Sequence, residues 1–86
     1  MKCMLFAVRD VVASSFGMPT VDTNEQTAKR NFAFAITSQD KSVMTYKPSD
    51  FDLYQVGYYD TDSGMFSNME NGVPMFVCNG SEFVKE

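Results

Sequence analysis

"YKPSDFDLYQVGYYDTDSGMF" (Tyr46–Phe66) carries all four tyrosines of the chain, four of its eleven acids and two of its five glycines. Three readings compete for it: a catalytic or metal-binding loop, a platform on which bases stack, or a turn-and-strand unit that holds a small domain together. "LYQVGYY" (Leu53–Tyr59) is rich in aromatic and branched residues and reads as a strand. Pro48 cannot continue a ladder, and its fixed φ starts a turn. "SDFD" after it suits one helical turn, with Ser49 or Asp50 as the cap. "DTDSG" (Asp60–Gly64) reads as a turn: Asp and Ser side chains bond their own backbone, and Gly64 supplies a left-handed residue.

The neighbouring segments extend this unit. "MFS" returns antiparallel and "NMENG" turns again. "VPMFVCNG" (Val73–Gly80) is a last strand whose Pro74 marks an edge. "SVMTY" (Ser42–Tyr46) is a short strand, and residues 81–86 are a tail expected to fray.

Upstream, "KCMLFAVRD" (Lys2–Asp10) reads as a strand with Cys3, Leu5 and Ala7 on one side and Met4, Phe6 and Val8 on the other. Both faces are apolar, which predicts a central strand covered on both sides. One helix covers one side; a loop, a second layer or another subunit must cover the other. Residues 11–22 are a connection broken by Gly17, Pro19 and serines, with Phe16, Met18 and Val21 available to tuck it against the sheet. Residues 23–40 form the clearest element, a helix. Thr23 followed by Gln26 fits a capping box, and Ala28, Phe32, Ala35 and Ile36 make its buried stripe. Phe34 lies off that stripe, to widen it or to serve an interface.

The expected fold is therefore α+β, a single domain over residues 1–86 with one amphipathic helix on a mainly antiparallel sheet of four to five strands. No apolar run reaches the ~18 residues that a membrane-spanning helix needs. The apolar start is broken at Arg9-Asp10, too early for a secretory signal, so it reads as the first strand of a cytosolic protein. Cys3 and Cys78 are expected as free, buried thiols rather than a bridge.

Chemistry is narrowed by what is missing. There is no histidine, which removes the usual general base and every Ser-His or Cys-His pair. Without CxxC or histidine, zinc has too few ligands. "DTDSG" imitates the start of a calcium loop, but such a loop needs glycine at position six and an acid at position twelve. Here Gly64 is fifth and Asn71 twelfth. No enzyme activity, metal or cofactor is expected.

A net charge of −4 argues against a generic nucleic-acid binder. The charge is uneven, however. Residues 1–47 hold six bases against four acids, and residues 48–86 hold one base against seven acids. A positive patch on an acidic protein is compatible with that asymmetry. Arg9, Lys29, Arg30 and Lys47 are the candidate phosphate contacts; Tyr46, Tyr54 and Tyr58 are the candidate stacking rings. The competing role for the rings is core and interface packing.

Several of these residues also carry a family likeness. "FAVRD", then Pro19, Asn24, Ala28, Arg30, Asn31 and Phe32, then "KPSDFDLYQVGYYDTDSGMF" resemble the small non-structural protein of microviruses, single-stranded-DNA phages, in the gokushovirus branch. The matching positions of the third segment are Pro48, Asp50, Phe51, Leu53, Tyr54, Gly57, Tyr59, Asp60 and Gly64, and the likeness spans roughly residues 1–66. The resemblance implies a protein of the infected bacterial cytoplasm, absent from the virion. It implies a role in viral DNA replication, as a homo-oligomeric single-stranded-DNA-binding accessory. The alternative is a non-enzymatic interaction module that contacts a phage or host replication or assembly protein. The expected partners are thus a second copy of the chain, single-stranded DNA or a replication protein, with no membrane.

Overall fold

The computed structural model describes residues 1–84. Two long strands form its axis. β1 (Lys2–Asp10) pairs antiparallel with β4 (Phe51–Asp60) along their whole lengths. On the outer side of β1 lie β2 (Ser15–Phe16) and β3 (Thr20–Asp22), one after the other; on the outer side of β4 lie β5 (Phe66–Ser67) and β6 (Met75–Asn79). All pairings are antiparallel, and the sheet has six strands rather than four or five.

The extra strands come from residues 11–22, expected as an unpaired connection. Asp10 Oδ1 accepts from the backbone N–H groups of Val12 and Ala13, both at 3.1 Å, and so turns the chain back. The backbone N–H of Gly17 then donates to the carbonyl of Val8 at 2.8 Å. The chain leaves the ladder at Gly17–Pro19 and re-enters it at Thr20. Proline lacks the donor a continuous strand would need, so one strand becomes two. Met18, expected to tuck against the sheet, is 87% exposed.

Helix α1 runs Glu25–Ile36, shorter than residues 23–40. Its N-cap is Asn24, not Thr23: the Asn24 side chain accepts from the Thr27 backbone N–H at 2.8 Å. Asparagine is at least as good a cap as threonine, so one position of drift is chemically neutral. Ala28, Phe32 and Ile36 are buried as the spacing requires, while Ala35 and Phe34 are exposed. A stripe of i, i+4, i+8 already fills the contact with this small sheet.

Residues 42–46, expected as a strand, are a short helix, α2 (Val43–Tyr46). Ser42 and Thr45 satisfy one another's backbone N–H groups in a reciprocal capping box, with threonine in the place usually held by Glu or Gln. That local bonding outweighs the branched residues' preference for strands. The helical turn expected over "SDFD" lies one residue earlier, as a 3-10 turn over Pro48–Asp50; its N-cap is Lys47, with no side-chain bond, rather than Ser49 or Asp50, and Phe51 and Asp52 already pair in β4. The expected tail is also ordered: a second 3-10 turn covers Gly80–Phe83. The Asn79 side chain accepts from Ser81 N–H, and Glu82 accepts from Asn79 N–H at 2.7 Å. Lys85 and Glu86, the end of the predicted tail, lie outside the described residues.

The core is Phe6, Ala28, Phe32, Ile36, Phe51, Leu53 and Cys78, flanked by Met4, Val8, Met44, Val77 and Phe83. Both helices and the 80–83 turn therefore contribute to the same side of the sheet. The turn Asp60–Gly64 is as expected: Asp60 Oδ1 accepts from Asp62 N–H at 2.9 Å, and Gly64 has φ +75°. The two aspartates also hold the Met1 ammonium, at 3.3 Å and 2.6 Å. That contact lowers the Asp60 carboxyl pKa, after the larger effect of the Asp62 backbone N–H.

Both cysteines are free and buried. Cys78 pairs with Leu53 on the helix side, while Cys3 pairs with Tyr59 on the other face. Two side chains on opposite faces, with β4 between their strands, cannot meet the ~4 Å Cβ separation of a disulfide. Burial pushes the Cys78 thiol up to about 11. At pH 8 its thiolate fraction is then on the order of one in a thousand. Cys78 should resist an aromatic disulfide reagent in the native protein and react only as fast as the protein unfolds. Rapid stoichiometric labelling at pH 8 would contradict this placement.

Candidate nucleic-acid interface

Cross-strand pairing assigns each side chain of the sheet to a face, because directly paired residues point the same way. On the face opposite the helices, β1 contributes Cys3, Leu5, Ala7 and Arg9. Their partners on β4 are Tyr59, Gly57, Tyr54 and Asp52. Phe16 pairs with Arg9, Val21 with Leu5, Phe76 with Tyr54 and Phe66 with Tyr59. A bulge at Gln55–Val56 shifts the alternation of β4, so Tyr54 and Tyr59 share a face although they are five positions apart.

The result is an apolar floor under a set of rings. Cys3, Leu5 and Ala7 are buried, yet no helix lies over them. The large side chains of the flanking strands cover them instead. Phe16, Tyr54 and Phe76 form a row, with ring centroids 5.3 Å and 5.7 Å apart and interplanar angles of 75° and 79°. Edge-to-face contact suits the ring quadrupoles and holds each ring in place. The Arg9 guanidinium sits 5.9 Å from the Phe16 ring centroid, within cation–π range. Farther along, Tyr59 and Phe66 make a second ring pair at 5.1 Å. Phe16, Phe76, Phe66 and Val21 are 44–69% exposed, so the patch is open to solvent. Gly57 sits in the floor because a Cβ there would lie 2.5 Å from the Ser67 carbonyl oxygen, against β5.

The structure divides the seven predicted site residues. Arg9 and Tyr54 meet on this face, with Phe16 between them. Tyr58 pairs with Met4 and faces the helix side, where the Lys2 ammonium stands 4.2 Å from its ring centroid. Lys29 and Arg30 lie on α1, beyond the core from the ring row. Tyr46 belongs to α2 and, at 85% exposure, lines a cleft of about 610 Å³ with Ile36, Pro48 and Phe83. Lys47 caps the end of α2. The positive patch suggested by the charge asymmetry is thus not brought together. Phe16 and Phe76 are functional candidates the sequence reading passed over. Alternation alone would set Phe76 on the face of Cys78; the irregularity at Val77 turns it to the opposite face, and Phe16 is visible only once β2 is paired.

Among the described residues no three acids or cysteines gather as a metal site. Among the described residues no helix is long and apolar enough to cross a membrane. What the geometry provides is a small α+β protein whose sheet is packed on one side and offers an open aromatic surface on the other. The chain belongs to the phage ORF5 protein family, whose model matches residues 3–83. The match bears out the resemblance to small microvirus proteins and carries it beyond residue 66, through the last strand and turn. The chain is also 28% identical to "Protein ORF5" of Chlamydia phage 1, an alignment covering 96% of this chain and 88% of that protein. No solved structure matches.

Proposed function

We propose that this phage protein binds single-stranded DNA through the helix-free face of its sheet, as a non-enzymatic accessory of viral DNA replication in the infected bacterial cytoplasm. The observation that carries the reading is the ring row Phe16–Tyr54–Phe76, its two phenylalanines exposed and Tyr54 half-buried between them, with Arg9 beside it. Unpaired bases stack on such rings without regard to sequence, each worth about 1–3 kcal/mol. A duplex hides its base faces, so the same surface disfavours double-stranded DNA. The reading keeps Arg9 and Tyr54 among the seven candidates and adds Phe16 and Phe76.

Stacking rather than charge must dominate, because the protein has a net charge of −4 and, among the described residues, the face holds one cation, Arg9, with Asp52 paired beside it. Counterion release contributes a slope of about −0.7 per phosphate contact on a single strand. Affinity for oligo-dT, read by fluorescence anisotropy, should therefore fall with a log–log salt slope near −1, much shallower than for a basic groove. Phe16→Ala and Phe76→Ala should each weaken binding by roughly thirtyfold, the middle of the stacking range. Both side chains are about half exposed, so circular dichroism should show the fold intact. Lys29→Ala and Arg30→Ala should leave binding unchanged. A complete lack of oligo-dT binding at low salt, or loss confined to the α1 variants, would defeat the reading.

A second reading has its own observation. Val21 and Phe66, 50% and 69% exposed, extend the apolar face beyond the ring row. Contiguous exposed apolar surface also marks protein contacts. In this reading the face docks a second copy of the chain or a replication protein, and the two-sided apolar strand β1 is covered by a partner. Sedimentation with and without oligo-dT separates the two: DNA that dissociates a dimer means one shared face, and a dimer indifferent to DNA means the face is protein-binding.

A further inference from the structure

Two asparagines of the chain precede glycine, Asn71–Gly72 and Asn79–Gly80. A carboxamide in that position is open to attack by the next backbone nitrogen, because glycine has no Cβ to crowd the approach. The two sites share more than sequence. The Val73 N–H donates to Asn71 Oδ1 at 3.3 Å, and the Ser81 N–H donates to Asn79 Oδ1 at 2.9 Å. Each is an Asx turn, which folds the side chain over the following peptide. The donated hydrogen bond also favours the negative charge that develops on Oδ1 under attack.

The surroundings of the two sites differ. Asn79 Nδ2 donates to the carbonyls of Ser49 and Phe51, at 3.0 Å and 3.3 Å, and to Asp52 Oδ1 at 2.7 Å. Gly80 is buried, its backbone packed against the Pro48 carbonyl and Ile36. Ring closure there must release three hydrogen bonds and swing a packed peptide. Asn71 and Gly72 are both exposed, and Gly72 has φ +78° with open space around its Cα. Asn71 Nδ2 makes no hydrogen bond among the described residues, so nothing in them holds the leaving group. The Gly72 N–H donates to the Met69 carbonyl at 2.9 Å, but this bond closes an exposed turn, where water can replace it.

We propose that Asn71 is a site of spontaneous deamidation and that the fold protects Asn79 from the same reaction. The Gly72 nitrogen gives its proton to hydroxide and attacks Asn71 Cγ. The N–Cγ bond forms, the Cγ–Nδ2 bond breaks, and Nδ2 takes a proton from water and leaves as ammonia. The five-membered succinimide then takes up one water. Opening at the Cγ–N bond gives aspartate; opening at the bond between the Asn71 backbone carbonyl carbon and the Gly72 nitrogen gives isoaspartate, whose main chain runs through Cβ and Cγ. Either product adds a negative charge beside Glu70, in the turn that leads into β6. The inference is independent of the single-strand reading.

The test ages the full chain in mildly alkaline buffer, folded and in guanidinium, and then cuts it with cyanogen bromide. Cleavage after Met69 and Met75 places Asn71 in segment 70–75 and Asn79 in segment 76–86. Mass spectrometry reads the exchange of amide for acid in each segment, and chromatography separates isoaspartate from aspartate. In the folded protein segment 70–75 should convert at a rate proportional to hydroxide. Segment 76–86 should convert at least about tenfold more slowly, because three hydrogen bonds must be released first. In guanidinium both should convert at similar rates. Asn71→Gln, at an exposed position, should stop conversion of segment 70–75 with an unchanged circular dichroism spectrum, because the longer side chain closes a six-membered ring far more slowly. Equal rates for the two segments in the folded protein, or a segment 70–75 that stays intact there, overturns the proposal.

Discussion

Phe6→Ala is expected to destabilise the protein by about 4 kcal/mol, the middle of the range for deleting a buried aromatic. Phe6 is 1% exposed and stands in the middle of β1, where it joins the helix stripe to Phe51 and Leu53. The loss combines the transfer energy of the ring with the cavity it leaves, and helix and sheet cannot both close on that cavity. An 86-residue domain has a total stability on the order of 4–13 kcal/mol. The variant should therefore be marginal or unfolded at room temperature. In urea, where small domains show slopes of about 1–1.5 kcal/mol per molar, the midpoint should fall by roughly 3 M with the slope unchanged. Phe34→Ala is the control: at 78% exposure it should shift stability by less than about 0.5 kcal/mol. Equal effects of the two substitutions would mean that α1 packs through a different face.

Gly80→Ala is the second large effect, and it acts by addition rather than removal. Gly80 is buried where the two 3-10 turns and α1 converge. A Cβ there would run into the Pro48 carbonyl oxygen and lie 2.9 Å from Ile36 Cδ1. Neither obstacle is the free end of a flexible chain: one is backbone, the other a core side chain. Overpacking of this kind costs about 1–3 kcal/mol and more when backbone must move. We expect about 3 kcal/mol, or a fall in melting temperature of roughly 12–24 °C for a domain of this size. The damage should be local at first, undocking Gly80–Phe83 and exposing Phe83, which contacts Phe32 edge-to-face at 6.0 Å. Gly64→Ala provides the contrast: it has open space around it and only a φ of +75° to resist, so its cost is backbone strain alone. Hydrogen exchange that speeds up evenly across the whole chain in Gly80→Ala, with no early release of the 80–83 turn, would contradict this packing.

The two long strands, the helix stripe and the Asp60–Gly64 turn were legible because each rests on local chemistry. Ala28, Phe32 and Ile36 announce their face through spacing, and Gly64 announces its turn through conformation. Residues 42–46 misled because Val43 and Tyr46 favour strands, while the deciding interaction is the short-range Ser42–Thr45 cap. Residues 81–83 read as part of a fraying tail, although Asn79 followed by Glu82 is a capping signal. β2 and β3 are too short to carry a period and exist only because β1 is there to pair with. The candidate site was half legible for the same reason. Arg9 and Tyr54 lie on strands that the sequence displays, whereas Phe16 joins them through a pairing invisible in one dimension. The charged residues of α1 were attractive as a cluster in sequence, but the fold sets them on the far side of the core.

The claim on which the account turns is that the helix-free face is the working surface. Backbone amide NMR spectra recorded during titration with oligo-dT test it most directly. Shifts should concentrate at Ala7, Arg9, Phe16, Tyr54 and Phe76, with Lys29, Arg30 and the rest of α1 unmoved. Shifts confined to α1 and α2, or no shifts at any residue at low salt, would contradict it.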